Sequence, residues 1–181
     1  MAIVRRKNKS AKYLSERADI GGIESTQDLH ELARAHGIET SPFDVKALIK
    51  HLGIRFVNEP MPNHLSGCLY KEGSNWVIKV NSHHHPRRRR FTMAHELAHY
   101  FLHRNRKSNF SDQILFRSDE TDPMEREANR FAGELLMPED EVRLLLKSGE
   151  NRVEDLAAHF GVSSLAMRVR AKQIGLTGHG L

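Results

Sequence analysis

Residues 91–103 read Phe-Thr-Met-Ala-His-Glu-Leu-Ala-His-Tyr-Phe-Leu-His, and this stretch decides both the fold and the candidate chemistry. Its apolar residues recur at spacings of three and four, the period of a helix that buries one face in a core. His95 and His99 are four residues apart, so their side chains project from the same helix face about one turn from each other. The stretch therefore predicts a core helix that presents two histidines side by side.

The two histidines are part of an H-E-x-x-H pattern over residues 95–99. Two imidazoles at this spacing can bind one zinc ion, each at about 2.0–2.1 Å. Glu96 lies beside the ion position and can accept a proton from a water molecule as that water attacks a carbonyl carbon. The alternative is a pair of surface histidines next to a glutamate, because so short a pattern also arises by chance. The apolar Leu97 and Ala98 favour the metal site, since they place the pattern in a packed helix.

A catalytic zinc ion needs a third protein ligand and an open coordination position. A second predicted helix, which begins with the capping pair Asp122-Pro123, offers three carboxylates, Glu125, Glu127 and Glu134. We favour Glu127 as the third ligand, because it lies on the side of the apolar residues of this helix. Capping and the helix dipole account for Glu125 without a functional role. Glu134 either orients a ligand or is solvated.

The segments before the metal helix predict a small sheet. Residues 54–57, 65–70 and 76–80 are short and rich in β-branched or aromatic residues, and turn residues separate them. The last two segments are predicted to form a hairpin, and residues 105–121 are polar and irregular. The fold class is therefore α+β, a mostly helical domain with a three-stranded antiparallel sheet.

Composition and the spacing of apolar residues divide the chain into three predicted parts. Residues 1–25 form a basic N-terminal segment, residues 26–150 the metal-binding domain, and residues 151–181 a helix-turn-helix-like extension packed on that domain. The second helix of the extension carries three basic residues that can approach phosphate, Arg168, Arg170 and Lys172. A helical pair that closes the domain gives the same pattern, so DNA binding is not favoured.

The composition suits a globular protein of the cytoplasm. The chain has 181 residues, a formal charge of +5 and 28% charged residues. A single cysteine, Cys68, excludes a disulfide within the chain, which fits a reducing compartment. Neither a secretory signal nor an apolar stretch of membrane-spanning length is evident. We therefore expect a cytoplasmic protein that makes no contact with a membrane.

Two motifs together resemble the ImmA/IrrE metallopeptidases. The first runs over residues 89–99 and continues to His103, and the second over residues 125–138, Glu-Arg-Glu-Ala-Asn-Arg-Phe-Ala-Gly-Glu-Leu-Leu-Met-Pro. Val80-Asn81 also fits the pattern of that family, and the resemblance covers roughly residues 25–175. It implies a zincin-like domain of the gluzincin type with one zinc ion per chain, manganese being the alternative metal.

The resemblance also implies roles and a substrate class. The ligands would be His95, His99 and Glu127, with Glu96 as general base. The substrate would be a helix-turn-helix repressor of the XRE-like kind or an antitoxin, in transcription regulation linked to stress response, mobile elements or toxin–antitoxin pairs. Two other functions compete with this endopeptidase: a DNA-binding regulator with a structural zinc ion, and a toxin–antitoxin component that acts only through protein contacts.

Other residues are candidates for contact with the ligands or the substrate. His103 continues the one-turn series from His99 and can orient the site. The histidines at 83–85 either stabilise an oxyanion or form a solvated loop, and Tyr100 and Tyr70 are alternative oxyanion donors. The strand that ends at Asn81 either pairs with an extended substrate or serves only as core. The arginines at 87–90 either bind an acidic substrate segment or form a solvated basic turn.

Overall fold

The computed structural model describes Ile23, residues 25–113 and residues 122–176, and seven helices and four strands run along these residues. The predicted basic N-terminal segment lies outside the described residues, apart from Ile23 and Ser25. The helices are α1 (Thr26–Ala35), α2 (Val45–His51), α3 (Pro86–Leu102), α4 (Pro123–Leu136), α5 (Glu139–Lys147), α6 (Val153–His159) and α7 (Ser164–Gln173). The strands are β1 (Arg55–Glu59), β2 (Leu65–Glu72), β3 (Asn75–Asn81) and β4 (Asn109–Gln113).

Short polar side chains fix the starts of the helices. The predicted start at Asp122-Pro123 is confirmed, because the Asp122 side chain accepts a hydrogen bond from the Met124 amide at 2.8 Å and Pro123 is the first helical residue. In the same way, Ser163 accepts from the Ala166 amide at the start of α7. These caps satisfy amide groups that have no partner within the first turn of a helix.

The sheet has four strands in the order β1-β3-β2-β4, so the prediction of a three-stranded antiparallel sheet was wrong in two respects. First, β1 pairs with β3 in parallel, while β2 pairs antiparallel with both β3 and β4. Second, residues 109–113, predicted to be irregular, form the edge strand β4. The predicted hairpin of β2 and β3 is confirmed. The alternation of apolar and polar residues indicates which segments are strands but not which strands become neighbours. In the sequence of β4, Phe110 is the only apolar residue that indicates a strand.

Helix α3 occupies the centre of the molecule. It packs on β2 and β3 on one side and on α4 on the other, while α1 and α7 also contact α4. Within the described part of the chain, no helix is long and apolar enough to cross a membrane. The position of α3 matters for chemistry, because this central helix buries several polar side chains that would cost free energy if they had no partners.

Candidate metal centre

Three ionisable residues of α3 are completely buried. His95, Glu96 and His99 are each 0% exposed, in a helix that otherwise buries apolar side chains such as Leu97 and Ala98. Buried polar groups in native proteins are hydrogen-bonded, paired or bound to a metal. The predicted H-E-x-x-H pattern therefore lies inside the fold rather than on its surface, which argues against the surface interpretation.

Three ligand atoms converge between α3 and α4. The Nε2 atoms of His95 and His99 are 3.0 Å apart, and the carboxylate oxygens of Glu125 lie 3.2 and 3.4 Å from them. All three ligand atoms lie within 4.8 Å of one another. A tetrahedral zinc ion with bonds of about 2.0–2.1 Å separates its ligand atoms by about 3.3 Å. Two imidazoles and one carboxylate can hold one such ion, and among the described residues this group has three ligands, one fewer than a tetrahedral zinc ion takes.

Glu127, the third ligand predicted from the sequence, is not brought to this cluster. Its side chain is 58% exposed, and its Oε2 atom lies 3.0 Å from Nε2 of His103 instead. At about 100° of rotation per residue, a helical residue shares its face with those three and four positions later. For Glu125 these are Ala128, which is buried, and Asn129, whose side chain contacts His95. For Glu127 they are the exposed Arg130 and the buried Phe131, so Glu127 lies at the edge of the buried face. The carboxylate that can hold a metal is therefore that of Glu125.

The electrostatics of Glu125 suit a metal ligand. Burial opposes its ionisation, but the hydrogen bonds and charges of His95 and His99 outweigh that effect and hold the pKa of Glu125 well below its usual range. A carboxylate must be ionised to bind a metal. Glu125 is therefore charged at neutral pH and ready to serve as a ligand.

Each histidine of the cluster is held through its other ring nitrogen. Nδ1 of His95 donates to the Asn129 side-chain oxygen at 2.9 Å, and Nδ1 of His99 lies 2.9 Å from Nδ1 of His103. His103 is 0% exposed, and burial lowers its pKa in spite of the opposing hydrogen bond with Glu127. The predicted contact of His103 with the ligands is thus present in the geometry. Asn129 was missed, although its position one turn after Glu125 was a usable signal.

Strand β4 forms one wall of the cluster. The ring of Phe110 stacks on His99, with centroids 4.6 Å apart and an angle of 21° between the planes. Phe110 is also buried at 3% exposure. The strand that the sequence did not predict therefore fixes the plane of one candidate ligand.

Gly67 of β2 makes room for Glu96. A Cβ atom placed on Gly67 would lie 2.7 Å from Oε1 of Glu96 and 2.5 Å from Cγ2 of Thr92, closer than real Cβ atoms come. The Glu96 carboxylate therefore packs directly against the backbone of β2 at Gly67. Sequence reasoning missed this residue, and an isolated glycine inside a strand is the signal that marks a close approach of this kind.

Asn81 has a structural role in the described contacts. Its side chain is 0% exposed, accepts from the amides of Met61 and His83, and donates to the carbonyls of Met61, Pro62 and Leu65. Of the two roles that the sequence left open for this strand, the core role agrees with the sheet, because β3 lies between β1 and β2 and both of its edges are paired. Asn81 instead fixes the loop that enters β2.

Two further candidates make other contacts. Tyr100 is 6% exposed and packs edge-on against Trp76, with centroids 5.8 Å apart, and under the Arg104 guanidinium at 4.9 Å. Glu134 pairs with Arg130 at 3.2 Å and lies 3.8 Å from Arg170. The structure therefore places neither residue in the His95–His99–Glu125 cluster.

Three of the candidate basic residues bond to groups within the protein. Arg88 donates to the Ser66 hydroxyl at 2.8 Å, and Arg90 donates to the Phe160 carbonyl at 3.2 Å. Arg170 of α7, one of the three residues predicted to approach phosphate, is 5% exposed and donates to the Met137 carbonyl at 3.0 Å. Because Arg170 is turned into the protein, the contacts favour a helical pair that closes the domain.

Comparison with known proteins agrees with this geometry. The family model for the IrrE N-terminal-like domain, peptidase M78, matches residues 49–172, which include α3 and α4. Uncharacterized immunity region protein 2 of Bacillus phage phi105 is 32% identical over 116 residues, which are 64% of this chain and 71% of that protein. Metallopeptidase ImmA of Bacillus subtilis (strain 168) is 30% identical over 107 residues, or 58% of this chain, and the match spans 60% of the length of ImmA.

Proposed function

Because the chain belongs to the ImmA/IrrE family of metallopeptidases, we propose that it is a zinc-dependent endopeptidase whose ion is bound by His95, His99 and Glu125. The observation that carries the proposal is the convergence of these three ligand atoms within 4.8 Å beside the buried Glu96. Imidazole ligands suit zinc better than manganese, which prefers oxygen. A structural zinc site usually closes with four cysteine or histidine ligands, whereas this donor set leaves one position open.

Glu96 is the general base of the proposed reaction. A bound zinc ion would polarise the scissile carbonyl and lower the pKa of the attacking water. Glu96 accepts a proton from that water and then donates it to the leaving amine. Gly67 keeps the backbone of β2 close to the carboxylate, which limits the orientations open to it. Asn129 holds the His95 ring through Nδ1, so that Nε2 faces the ion position.

The proposed substrate is a repressor of the helix-turn-helix kind or an antitoxin protein. Similarity to a phage protein named for an immunity region and to a metallopeptidase supports a substrate related to repressors. Cleavage of such a protein would place the enzyme in transcription regulation, in stress response or in the control of a mobile element. DNA is not favoured as the primary partner, because Arg170, one of the three basic residues of α7, is buried inside the protein.

The test combines metal analysis with fragment mapping. The protein is co-expressed with the helix-turn-helix protein encoded beside it, and fragments are identified by mass spectrometry for wild type, Glu96→Gln and the surface control Glu139→Gln. We expect fragments from wild type and the control. Because removal of a general base lowers rates by about 10²–10⁴-fold, we expect at most traces from Glu96→Gln, with one zinc ion per chain retained in all three.

Three outcomes would contradict the proposal. Cleavage by Glu96→Gln at the rate of wild type would remove the general base from the mechanism. Purified wild type that neither contains zinc nor binds it when it is added would remove the metal centre. Biological activity that survives in Glu96→Gln would instead favour a partner-binding component without catalysis.

A further inference from the structure

Glu127 has a contact that the proposed chemistry leaves unexplained. Its carboxylate lies 3.0 Å from Nε2 of His103, and Nδ1 of His103 lies 2.9 Å from Nδ1 of His99. Nε2 of His99, at the far side of that ring, faces the His95 nitrogen at 3.0 Å. An exposed carboxylate is thus connected through the buried ring of His103 to His99, a candidate metal ligand.

The direction of each hydrogen bond in this series follows from donor and acceptor chemistry. An ionised carboxylate can only accept, so Nε2 of His103 must donate to Glu127. A neutral imidazole has one donor and one acceptor nitrogen, so Nδ1 of His103 is then an acceptor. Nδ1 of His99 must therefore carry the proton that it donates to His103. Its Nε2 is left with a lone pair, which is the form that binds a metal.

We propose that Glu127 and His103 are positioning residues that fix the protonated ring nitrogen of His99, so that the Nε2 lone pair faces the ion position. The inference rests on the proposed function, because it explains how one ligand of that metal centre is prepared. Neither residue touches substrate or ion; both act through His99. Without an obligatory acceptor at position 127, His103 can turn its proton toward His99 and drive the His99 proton onto Nε2, where it excludes the metal.

The two ligand histidines are held in different ways. Nδ1 of His95 donates directly to the side-chain oxygen of Asn129 at 2.9 Å. An amide can rotate to present its donor group, whereas a carboxylate has no proton to offer. The contacts through His103 therefore constrain the protonated nitrogen of His99 more than Asn129 constrains that of His95. The reason is that Glu127, at the end of the first series, can only accept a hydrogen bond.

The competing interpretation of Glu127 is an ordinary surface pair. Its side chain is 58% exposed, and such pairs contribute about 0–1 kcal/mol to stability. A surface pair with His103 would leave zinc affinity unchanged when it is removed. The two interpretations therefore differ in zinc affinity and in the protonation of the His103 ring, not in folding.

The first experiment compares Glu127→Gln with Glu139→Gln, a glutamate of α5 that is 45% exposed and pairs with Arg143. Zinc affinity is measured by competition with a chelator. Loss of a side chain that is hydrogen-bonded to a ligand histidine typically weakens metal affinity by about 10–100-fold. We expect about tenfold weaker zinc binding for Glu127→Gln, because Glu127 acts on His99 through the ring of His103. The control should stay within about twofold of wild type. Nitrogen-15 spectra of the zinc-bound wild type should show His103 protonated at Nε2 and not at Nδ1.

A double-mutant cycle tests whether the two residues act as one unit. His103→Gln keeps a side-chain oxygen that can accept from His99 without help from position 127. In that background we expect Glu127→Gln to change zinc affinity by less than about twofold. If His103→Gln does not fold, the zinc affinity of Glu127→Gln and the nitrogen-15 spectra of wild type still decide between the two interpretations of Glu127.

Wild-type zinc affinity in Glu127→Gln, or His103 protonated at Nδ1, would overturn this inference and leave the proposed metal centre intact. Wild type that binds no zinc at all would instead overturn the proposed function, and the inference with it.

Discussion

Two regions of the molecule bury polar side chains, and they use them differently. In the candidate metal centre, called the metal centre below, side chains of His95, His99 and Glu125 point toward one another from two helices. In the C-terminal seam, defined here as the contacts of Arg90 and Arg170 with the ends of α6 and α4, each side chain donates to a backbone carbonyl. Burial of a polar group therefore does not by itself mark a functional site; convergence of several groups on one point does.

The seam has a structural explanation. Met137 and Phe160 are the residues that cap the C-terminal ends of α4 and α6. The last carbonyls of a helix have no partner within it, and the dipole favours a cation there. Burial lowers the pKa of both arginines, yet a guanidinium remains charged in proteins. Arg90 and Arg170 thus join the helical pair to the rest of the domain.

The largest expected effect separates the metal centre from the seam. Glu125→Gln should weaken zinc binding by more than about a hundredfold, because even outer contacts to ligands are worth about 10–100-fold. Arg170→Met should leave zinc affinity within about twofold, because its partner is a carbonyl of α4. Chelator competition on both variants measures the difference. Wild-type affinity in Glu125→Gln together with loss of zinc in Glu127→Gln would return the ligand role to Glu127.

The next effect lies in the seam. Arg170→Met removes a charge-assisted hydrogen bond to a buried carbonyl, and such bonds contribute about 1.5–3 kcal/mol. We expect the free energy of unfolding of the metal-free protein to fall by about 2 kcal/mol in urea titrations. The neighbouring Arg168, which is 55% exposed beside Glu154, is the matched control, and Arg168→Met should change stability by less than about 1 kcal/mol. Equal losses in both variants would mean that the seam is not what holds α7.

The metal helix could be predicted because its information is local. Two histidines four residues apart share a face in any helix, so His95 and His99 needed no knowledge of the rest of the fold. The choice between Glu125 and Glu127 depends instead on the rotation of α4 about its own axis against α3, and the buried residues of α4 include Ala128, Phe131 and Ala132. The apolar period of α4 gives its buried face but does not show which carboxylate meets His95 and His99 of the other helix.

The sheet shows the same limit. Its strand segments alternate and could be located, but the insertion of β3 between β1 and β2 depends on contacts between distant residues. Strand β4 was missed because a polar edge strand needs only one buried anchor, here Phe110. Asn129 and Gly67 each left a local signal, a position one turn after Glu125 and a glycine inside a strand, but the groups that they contact depend on tertiary packing.

A pair of glycines sharpens the comparison between the regions. Gly67 in the metal centre has no room for a Cβ atom, whereas a Cβ on Gly133 of α4 would meet its nearest neighbour, Gln173, at 3.6 Å. Gly67→Ala should destabilise the protein by about 1–3 kcal/mol through overpacking and slow cleavage by displacing Glu96. Gly133→Ala should stabilise it by about 0.5–1 kcal/mol, since glycine is unfavourable inside a helix. Urea titrations check both signs, and a stable, fully active Gly67→Ala would contradict the packing of Glu96 against β2.

The smallest expected effect concerns acid stability outside the metal centre. His30 of α1 is 6% exposed and contacts the Leu135 carbonyl at 2.9 Å, and burial lowers its pKa despite that hydrogen bond. Between the unfolded pKa of about 6.5 and the lower folded value, only the unfolded chain binds the proton. The stability contributed by neutral His30 is therefore present above pH 6.5 and is lost as the pH falls, by at most about 1.4 kcal/mol per pH unit.

Urea titrations of metal-free wild type and His30→Gln at pH 7.5 and 5.5 should show the smaller loss of stability in the variant, because glutamine can still donate to the Leu135 carbonyl but does not titrate. Equal losses would mean that acid acts elsewhere, at the histidines of the metal centre rather than at this helix end.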